Sequence, residues 1–533
     1  MTVSCGQATI KLLEAYGVDM VFGIPGVHTL EFCRGLAESS IKHVQARNEQ
    51  GAGFMADGYA RMSGRPGVGL VISGPGVTNA ATALGQSFAD SVPVLLLSSE
   101  AESHTLGKGW GMLHEVRDLT ACTAPLTAFS ATARSPDDVP QLLARAFSIF
   151  SSQRPRPVHI AIPIDVLAQS VTDDWRPVIC PPPPGCDHAL ISKAVERLKS
   201  AEKPMLLIGG GAANAGQAVM AIAEKLGAPV ISSINGKGIV PDDHDLGLGG
   251  GVARREGMDC LDRADVILAI GTELSDTDCF SRPFRFGNDL IRIDLDPEKI
   301  NDHYPAWLGI VGDAATASRA ILEALSGYQN GQRRATAASD IGKIKTAISE
   351  NLSVKETQHH NLLQMIRKLA PVNTRFAGDM CQLVYTGAFA MPVSAPRLWH
   401  YPAGYCTLGC ALPNAIGGKL ALPDDPVMIL VGDGGFQFTS QELVCAAELK
   451  LPIPIILWDN QGLMQIQDDM KSRGIPLVGV EGINPDFEML AKSCHSYFAE
   501  PGSESEFSAC LSQAFEADAP TLIRIVENSD WLQ

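Results

Sequence analysis

The amino-acid sequence predicts an α/β protein with three doubly wound parallel-sheet domains. Short runs rich in Val, Ile and Leu alternate with helical patterns along the chain, and glycine-rich turns follow several of these runs. Runs that are apolar throughout are typical of parallel strands with helices packed on both faces of the sheet. The length of 533 residues corresponds to three domains at ~150 residues each.

The first domain is predicted over residues 1–170. Its expected strands are Met20–Phe22, Ile41–Gln45, Val68–Ile72, Val92–Ser98 and Val158–Ile162, and its expected helices are Gly6–Tyr16, Thr29–Glu38 and Gln50–Ser63. Strand and helix patterns that alternate in this way predict a doubly wound sheet. A proline-rich linker at residues 177–184 then leads to the second domain.

The second domain is predicted over residues 187–327. Its expected strands are Pro204–Ile208, Val230–Ser232, Val266–Ile270 and Ile291–Asp294, and its expected helices are Ala189–Ser200 and Ala215–Leu226. The three glycines at 209–211 follow a strand, but they lack the Gly-x-Gly-x-x-Gly spacing and the downstream acidic residue of a dinucleotide-binding turn. We therefore do not expect this turn to bind a dinucleotide.

The third domain is predicted over residues 359–533, after a polar helical linker at 326–358. Its expected strands are Val427–Leu430 and Ile453–Trp458, and a helix is expected over Thr439–Leu449. The first of these strands leads into a Gly-Asp-Gly turn and the second into Asp459-Asn460. Neighbouring parallel strands bring their carboxyl ends side by side. The residues after the two strands are therefore expected to face each other.

This pair of turns predicts a magnesium diphosphate site. Mg²⁺ prefers octahedral oxygen ligands, usually a few from the protein and the others from phosphates and water. The carboxylate of Asp433, the side-chain amide of Asn460 and the backbone carbonyl of Gly462 leave room for two diphosphate oxygens and one water. Gly434 and Gly435 allow the backbone to approach the diphosphate closely.

Composition excludes several classes of partner. The net charge of −17 and the isoelectric point near 5.2 argue against binding to nucleic acid or to anionic membranes. No stretch reaches the ~18 consecutive apolar residues of a membrane helix, and the amino terminus has no basic region or cleavage site. The thirteen cysteines include no Cys-x-x-Cys pair and are typical of reduced core residues. A soluble, cytoplasmic protein is expected.

The Gly-Asp-Gly turn and the downstream Asn460 resemble the fingerprint of thiamine-diphosphate (ThDP) enzymes, with Asp459 in place of the first Asn of an Asn-Asn pair. The resemblance implies ThDP and Mg²⁺ as cofactors. The substitution is mild, because the second Asn carries the metal ligand in that family. The diphosphate contacts that the resemblance implies are Gly432, Gly434 and Gly435.

Residues 47–61 resemble the Glu-Gln-Gly-Ala motif of the pyrimidine-binding domain in the acetolactate synthase-like branch of this family. The match implies that Glu49 bonds N1′ of the aminopyrimidine ring. A carboxylic acid whose pKa is raised by an apolar site can pass a proton to N1′ and so favour the imino form that deprotonates C2 of the cofactor. The alternative for Glu49 is an acid stabilised only by the helix dipole.

Further stretches resemble other parts of the family's cofactor site. The loop at 73–79 resembles the Gly-Pro-Gly-x-x-Asn turn, and 404–417 resembles the loop that passes between the two rings of ThDP. The match implies that Leu408 is the apolar residue that bends the cofactor, which brings the 4′-nitrogen to C2. The cofactor-binding residues implied besides the diphosphate glycines are Gly26, Asn79, Gln382, Cys406 and Leu408.

The resemblance also bears on FAD and on assembly. Acetolactate synthases hold FAD in the central domain by a Gly-x-Arg-Phe-x-x-Arg motif, and the corresponding residues 271–277 lack both arginines and the Phe. FAD is therefore not expected. In relatives, the pyrimidine domain of one subunit faces the diphosphate domain of another. Because Glu49 and Asp433 fall in different predicted domains, a homodimer or homotetramer with active sites at the dimer interface is expected.

Within the family, residues 23–30, 113–115, 432–442 and 530–533 are most similar to decarboxylases of 5-guanidino-2-oxopentanoate, or 2-ketoarginine. This similarity implies non-oxidative decarboxylation of a small-molecule 2-oxo acid, here to 4-guanidinobutanal and CO₂. Decarboxylation needs a group that protonates the carbon from which CO₂ departs, and a histidine suits this task near neutral pH.

The candidates for this proton transfer are His104 and His114, and a surface histidine is the alternative for each. A guanidinium group is best held by a carboxylate in a bidentate pair. The acidic residues expected near the pocket are Glu100, Glu102, Glu115, Asp468 and Asp469. Glu115 adjoins His114 and is our candidate substrate residue.

Two other functions stay open at this stage. A FAD-free carboligase of the acetolactate synthase type would share every step up to the loss of CO₂ and would differ only in the electrophile, a second carbonyl instead of a proton. A ThDP-fold subunit without chemistry is disfavoured, because Glu49, Asp433 and Asn460 are all present.

Overall fold

The computed structural model describes residues 2–279, 282–286 and 289–532. In chain order, the strands are β1 (Thr2–Ser4), β2 (Met20–Gly23), β3 (Lys42–Gln45), β4 (Gly67–Val71), β5 (Val94–Glu100), β6 (Phe129–Thr132), β7 (Val158–Pro163), β8 (Ser170–Thr172), β9 (Pro204–Ile208), β10 (Val230–Ser232), β11 (Val266–Ile270), β12 (Asp289–Asp294), β13 (Leu308–Val311), β14 (Arg375–Gly378), β15 (Trp399–His400), β16 (Val427–Gly432), β17 (Pro454–Asp459), β18 (Tyr497–Ala499) and β19 (Thr521–Val526).

The α-helices, also in chain order, are α1 (Cys5–Ala15), α2 (Leu30–Ala37), α3 (Glu49–Ser63), α4 (Pro75–Ala89), α5 (Leu119–Thr123), α6 (Asp138–Ser152), α7 (Ile164–Leu167), α8 (His188–Ser200), α9 (Gly216–Leu226), α10 (Arg255–Asp262), α11 (Ala314–Ala324), α12 (Gly331–Glu350), α13 (Val354–Leu369), α14 (Gln382–Ala390), α15 (Ala411–Ala421), α16 (Asp433–Phe436), α17 (Glu442–Glu448), α18 (Met464–Ser472), α19 (Phe487–Ser493) and α20 (Glu504–Glu516).

The chain divides into two compact units, of which the first comprises residues 1–182, 405–500 and 513–524, and the second comprises residues 183–404, 501–512 and 525–533. The main sheet of the first unit has the strand order β3-β2-β4-β5-β7-β6, and every neighbouring pair in it is parallel. The first unit also contains the parallel pairs β16–β17 and β18–β19.

The second unit contains a five-stranded sheet of order β10-β9-β11-β12-β13, again parallel throughout, and the parallel pair β14–β15. The parallel sheets flanked by helices confirm the predicted α/β class. The strands predicted in this part of the chain agree with β9, β10 and β11 at both ends, and β12 begins two residues before the predicted Ile291.

The main sheet of the first unit is buried on both faces. All residues of β4, β5 and β7 are buried. On one face, Leu95 and Leu97 of β5 share a core with Leu12 of α1 and Leu143 of α6. On the other face, α3 packs so closely on the sheet that a Cβ atom on Gly67 would lie 1.9 Å from the carbonyl oxygen of Ala56. Burial on both sides explains why these strands are apolar throughout.

Helix α3 is also held tightly against α15. A Cβ atom on Gly58 would lie 2.1 Å from the carbonyl oxygen of Asn414, and one on Gly417 would lie 1.9 Å from the carbonyl oxygen of Met55. Only glycine permits the two helix backbones to approach this closely. The contact fixes the position of α3, whose first residue is Glu49.

The predicted helix Thr439–Leu449 is wrong in its bounds, because the chain forms the short helix α16 directly after β16 and then α17 from Glu442. Thr439 lies in the turn between the two helices, where its hydroxyl donates to the carbonyl oxygen of Gly409 at 2.7 Å. The sequence patterns also missed eight of the described strands, which are β1, β6, β8, β13, β14, β15, β18 and β19. Among the described residues, no helix combines the length and the apolar character needed to span a membrane.

Candidate active site

The carboxyl ends of neighbouring strands lie at one edge of the main sheet of the first unit. Gly26 and His28 follow β2, Glu49 follows β3, and Ser73 and Gly74 follow β4. In open parallel α/β sheets, ligands bind in the crevice outside this edge. The fold therefore gathers several of the predicted site residues, and others besides, at the edge where a ligand is expected.

Glu49 is the first residue of α3 and is 8% exposed. Asn48 caps the helix by accepting a hydrogen bond from the backbone N–H of Gln50 at 2.9 Å. The side-chain amide of Asn79, on α4, donates to Oε2 of Glu49 at 2.9 Å. Two predicted site residues are thus in direct contact, and the partner of Oε2 is a neutral amide.

Two histidines and a serine form a cluster near the ends of β2 and β4. Nδ1 of His28 lies 3.0 Å from the hydroxyl oxygen of Ser73, and the rings of His28 and His114 lie 5.0 Å apart at an angle of 73°. Burial, and to a lesser extent the neighbouring His114, lowers the pKa of His28. Nδ1 of His114 is buried and makes no hydrogen bond within the part of the chain that the structure describes.

Gly74 keeps the loop that carries His114 against α4. Gly74 has a φ of +60°, in the left-handed region, and a Cβ atom there would lie 2.5 Å from the carbonyl oxygen of His114. Glycine meets both requirements.

His28 was missed by the sequence analysis, although its position just after Gly-x-Pro-Gly at the end of a strand was an available signal.

His104 and Glu115 occupy different surroundings. The side chain of His104 is 66% exposed, and its Nδ1 lies 3.4 Å from Oε2 of Glu102. The carboxylate of Glu115 accepts backbone N–H bonds from its own loop, at 2.9 Å from Gly109, 2.7 Å from Gly111 and 3.1 Å from Met112.

Desolvation raises the pKa of Glu115, but the backbone N–H donors outweigh it and the pKa lies below its ordinary value. Glu100, at the end of β5, is buried, and burial raises its pKa to about 7. The two carboxyl groups thus favour different charge states. Glu115 is stabilised as an anion by its loop, whereas burial favours the neutral form of Glu100.

The three predicted metal ligands converge. One terminal atom of the Asn460 amide lies 3.0 Å from the carbonyl oxygen of Gly462 and 3.2 Å from Oδ1 of Asp433. Both neighbours are hydrogen-bond acceptors, so this position of the amide suits either its nitrogen, as a donor to them, or its oxygen, as a third ligand to a cation. Around Mg²⁺, with bonds of ~2.0–2.1 Å in octahedral geometry, neighbouring ligand oxygens lie ~2.9 Å apart. The donor set and its spacing therefore fit Mg²⁺ once the amide oxygen turns inward.

Asn484 orients this site and was not predicted. Its side-chain amide donates to Oδ2 of Asp433 at 2.7 Å and to Oδ1 of Asp459 at 3.0 Å, and the backbone N–H of Gly462 also donates to Oδ2 of Asp433, at 3.0 Å. Burial raises the pKa of Asp433. A cation beside Oδ1 would supply the charge compensation that these neutral donors give only in part.

Asp459, which replaces the family's first Asn, has a cationic partner of its own. It is 1% exposed, and its Oδ2 accepts from Nε of Arg524 at 2.8 Å and pairs with Nη2 at 2.6 Å. The extra carboxylate therefore has its own cation, which explains how the substitution is accommodated.

The remaining predicted contacts lie in turns or at the ends of strands and helices. Gly434 and Gly435 form the first turn of α16, and Gly432 ends β16. Cys406 has a φ of +56°, and the next N–H, that of Thr407, donates to the side chain of Gln86 at 3.4 Å. Leu408 is half-buried in the same loop. The N–H of Gly26 donates to the hydroxyl of Thr29 at 3.0 Å, and Gln382 begins α14.

Comparison with known proteins agrees with this geometry. The chain matches three family models in sequence order, which are the "thiamine pyrophosphate enzyme, N-terminal TPP binding domain" over residues 3–121, the central domain over 191–325 and the C-terminal TPP binding domain over 379–525. Together with the relatives below, these matches show that the chain belongs to the thiamine pyrophosphate enzymes.

Among curated relatives, the chain is 47% identical to the "Probable 2-ketoarginine decarboxylase AruI" of Pseudomonas aeruginosa, over 98% of this chain and 94% of that protein. It is 31% identical to a "Probable acetolactate synthase large subunit" of Methanocaldococcus jannaschii, over 98% and 91% of the two chains. It is 30% identical to the "Acetolactate synthase isozyme 3 large subunit" of Escherichia coli, over 96% and 92%.

Proposed function

We propose that this protein is a ThDP-dependent decarboxylase of 2-oxo acids that binds its cofactor through Mg²⁺. The observation that carries the proposal is the convergence of Asp433, Asn460 and Gly462 at the spacing of octahedral ligands. Glu49, held by Asn79 at one end of a parallel sheet, supplies the acid that this chemistry needs. The domain limits 1–170, 187–327 and 359–533 belong to the same proposal.

When bound, ThDP would supply a carbanion nucleophile and an electron sink. The protein's own part begins at Glu49. Asn79 occupies Oε2, so Oε1 is the oxygen that we assign to the proton exchanged with N1′ of the pyrimidine ring. Asp433, Asn460 and the Gly462 carbonyl would hold Mg²⁺ and thereby the diphosphate. Half-buried Leu408 would support the bent cofactor.

The later proton transfer is assigned to the pair His28 and His114. Burial, and to a lesser extent the ring of His114 5.0 Å away, favour the neutral form of His28. We assign the proton transfer to the carbon that loses CO₂ to His114, whose buried Nδ1 makes no hydrogen bond within the described part of the chain. Ser73 orients His28. The exposed position of His104 favours His114 over it.

The substrate that we propose is 5-guanidino-2-oxopentanoate, which would yield 4-guanidinobutanal and CO₂. The support is the relative that is 47% identical to this chain, the "Probable 2-ketoarginine decarboxylase AruI". Glu115 remains our candidate for the guanidinium. Its carboxylate is held as an anion by three loop N–H groups, and ionised oxygens can accept further hydrogen bonds.

A homodimer or homotetramer with active sites at the dimer interface completes the proposal. A second candidate function is a FAD-free carboligase, favoured by the acetolactate synthase relatives. Product analysis separates the two. The purified protein is incubated with ThDP and Mg²⁺, and with either 2-ketoarginine or pyruvate. An aldehyde and CO₂ from 2-ketoarginine would support the proposal, whereas acetolactate from pyruvate would favour the carboligase.

A further inference from the structure

The buried carboxyl group of Glu442 has no part in the mechanism above. Glu442 is the first residue of α17 and is 0% exposed. The backbone N–H of Arg47 donates to both of its carboxylate oxygens at 3.0 Å, and the N–H of Asn48 donates to Oε1 at 3.0 Å. These two peptide groups directly precede Glu49, so Glu442 holds the backbone by hydrogen bonds where α3 begins.

Glu442 packs closely against the first turn of α3. A Cβ atom on Gly51, in the first turn of α3, would lie 2.3 Å from Oε1 of Glu442 and 2.6 Å from its carboxyl carbon. The carboxyl group therefore lies directly against the turn that presents Glu49. A carboxylate is stabilised in this position by the N–H groups and by the positive end of the helix dipole.

Glu442 ends the segment that begins with Asp433. Between them, the hydroxyl of Thr439 is bonded to the carbonyl oxygen of Gly409, and the N–H of Glu442 donates to the carbonyl oxygen of Thr439 at 2.9 Å. The segment is thus fastened at its centre. One end of it carries a proposed metal ligand, and the other end supports the loop of Glu49.

The charge environment agrees with this role. Burial raises the pKa of Glu442 to about 7, and the N–H donors and the charge of Arg47 oppose the rise. The guanidinium of Arg47 pairs with Glu448. The two backbone N–H groups are therefore the hydrogen-bond donors that favour the ionised form of Glu442.

We propose that Glu442 is a positioning residue for Glu49: its carboxylate holds the Arg47–Asn48 peptides so that Glu49 enters α3 with its carboxyl group directed to Asn79 and the cofactor. This inference rests on the proposed function, because it assigns Glu442 an effect on the reaction through Glu49. It also has a consequence that needs no cofactor, namely slow hydrogen exchange of the backbone N–H groups of Arg47 and Asn48.

The test compares the wild type with Glu442→Gln and with Glu448→Gln, a control on the same helix whose carboxylate is exposed and pairs with the Arg47 side chain. Hydrogen exchange is followed in the cofactor-free protein in peptides that cover residues 46–53. In Glu442→Gln we expect exchange that is roughly tenfold faster or more, because one charge-assisted hydrogen bond is lost. In Glu448→Gln we expect the exchange rate of the wild type.

The same variants are assayed for decarboxylation at saturating ThDP. Glu442→Gln should lower kcat by roughly tenfold or more, with KM nearly unchanged. If Glu442 acts through Glu49, then adding Glu442→Gln to a Glu49→Gln variant should cause no further loss. Full additivity in the double variant would overturn the inference, and so would wild-type exchange in a folded Glu442→Gln protein.

A second variant, Gly51→Ala, tests the same contact in case the Glu442→Gln protein misfolds. Gly51→Ala improves the intrinsic helix propensity of α3 but directs a methyl group at the Glu442 carboxyl. It should therefore reproduce the faster exchange and the lower kcat. Normal values of both in Gly51→Ala would overturn the inference. A wild-type protein that is inactive on every 2-oxo acid would instead reject the proposed function, and the exchange result would still decide the structural part.

Discussion

Replacement of Asp433 by Ala is the sharpest test of the metal site. Oδ1 of Asp433 faces the Asn460 amide, which also lies beside the Gly462 carbonyl, and Oδ2 already accepts from Gly462 and Asn484. The substitution removes the carboxylate from the three proposed ligands. Loss of a residue that only orients a metal ligand costs ~10- to 100-fold in metal affinity. Loss of the charged ligand itself is therefore expected to cost at least ~1,000-fold, or ~4 kcal/mol at ~1.4 kcal/mol per factor of ten.

The assay is a Mg²⁺ titration in the presence of ThDP, read by calorimetry and by decarboxylase activity. Asp433→Ala should show no ThDP-dependent activity at limiting Mg²⁺. Asn484→Ala should fall between this variant and the wild type, with a loss of ~10- to 100-fold, because Asn484 only orients Asp433.

Asp459→Asn is the matched control, since it removes the charge of a second buried carboxylate, whose cationic partner is Arg524, and leaves an amide oxygen that can still accept from Asn484. It should lower the free energy of unfolding by ~1–3 kcal/mol and leave the Mg²⁺ requirement unchanged. Full activity of Asp433→Ala at limiting Mg²⁺ would refute the assignment. An equal Mg²⁺ defect in Asp459→Asn would show that buried charge in general, and not the ligand, is responsible.

Three further outcomes are expected. Mixing Glu49→Gln and Asp433→Ala chains, each with only residual activity, should raise the activity above that of either variant, because hybrid dimers contain one intact site; no recovery after proven subunit exchange would place each site within one chain. Glu115→Gln should lower kcat/KM for 2-ketoarginine by roughly ten- to a hundredfold, because a charge-assisted pair is lost, and should affect an uncharged 2-oxo acid much less; equal losses would make Glu115 a general structural or catalytic residue. His159, buried beneath Ser98, has a folded-state pKa lowered to about 3 by burial, so its contribution to stability is present above its ordinary pKa of ~6.5 and is lost as the pH falls toward 3. Between pH 7.5 and 5 the free energy of unfolding of the wild type should therefore fall by ~2 kcal/mol relative to that of His159→Asn, measured by denaturant unfolding of both proteins at both pH values.

The class of fold and the trio of proposed metal ligands could be read from the sequence, because both depend on local patterns. Apolar runs predict parallel strands whatever their neighbours are, and the carboxyl ends of adjacent parallel strands must meet. Asp433 and Asn460 each follow such a strand, so their approach to within 3.2 Å needed no further information. The identity of the metal and the roles of Glu49 and Glu115 stay predictions.

Only the tertiary structure decided which distant residues support this site. Asn484 reaches Asp433 across a sequence separation of 51, His28 meets Ser73 across 45, and Glu442 holds Arg47 across 395. No periodicity or local motif encodes such pairs, because each contact depends on how whole helices and sheets pack. The same holds for Glu115. Its carboxylate is stabilised by the backbone N–H groups of the turn at 109–112, and only the folded loop shows these hydrogen bonds. Local sequence determines where strands end, and packing determines what surrounds those ends.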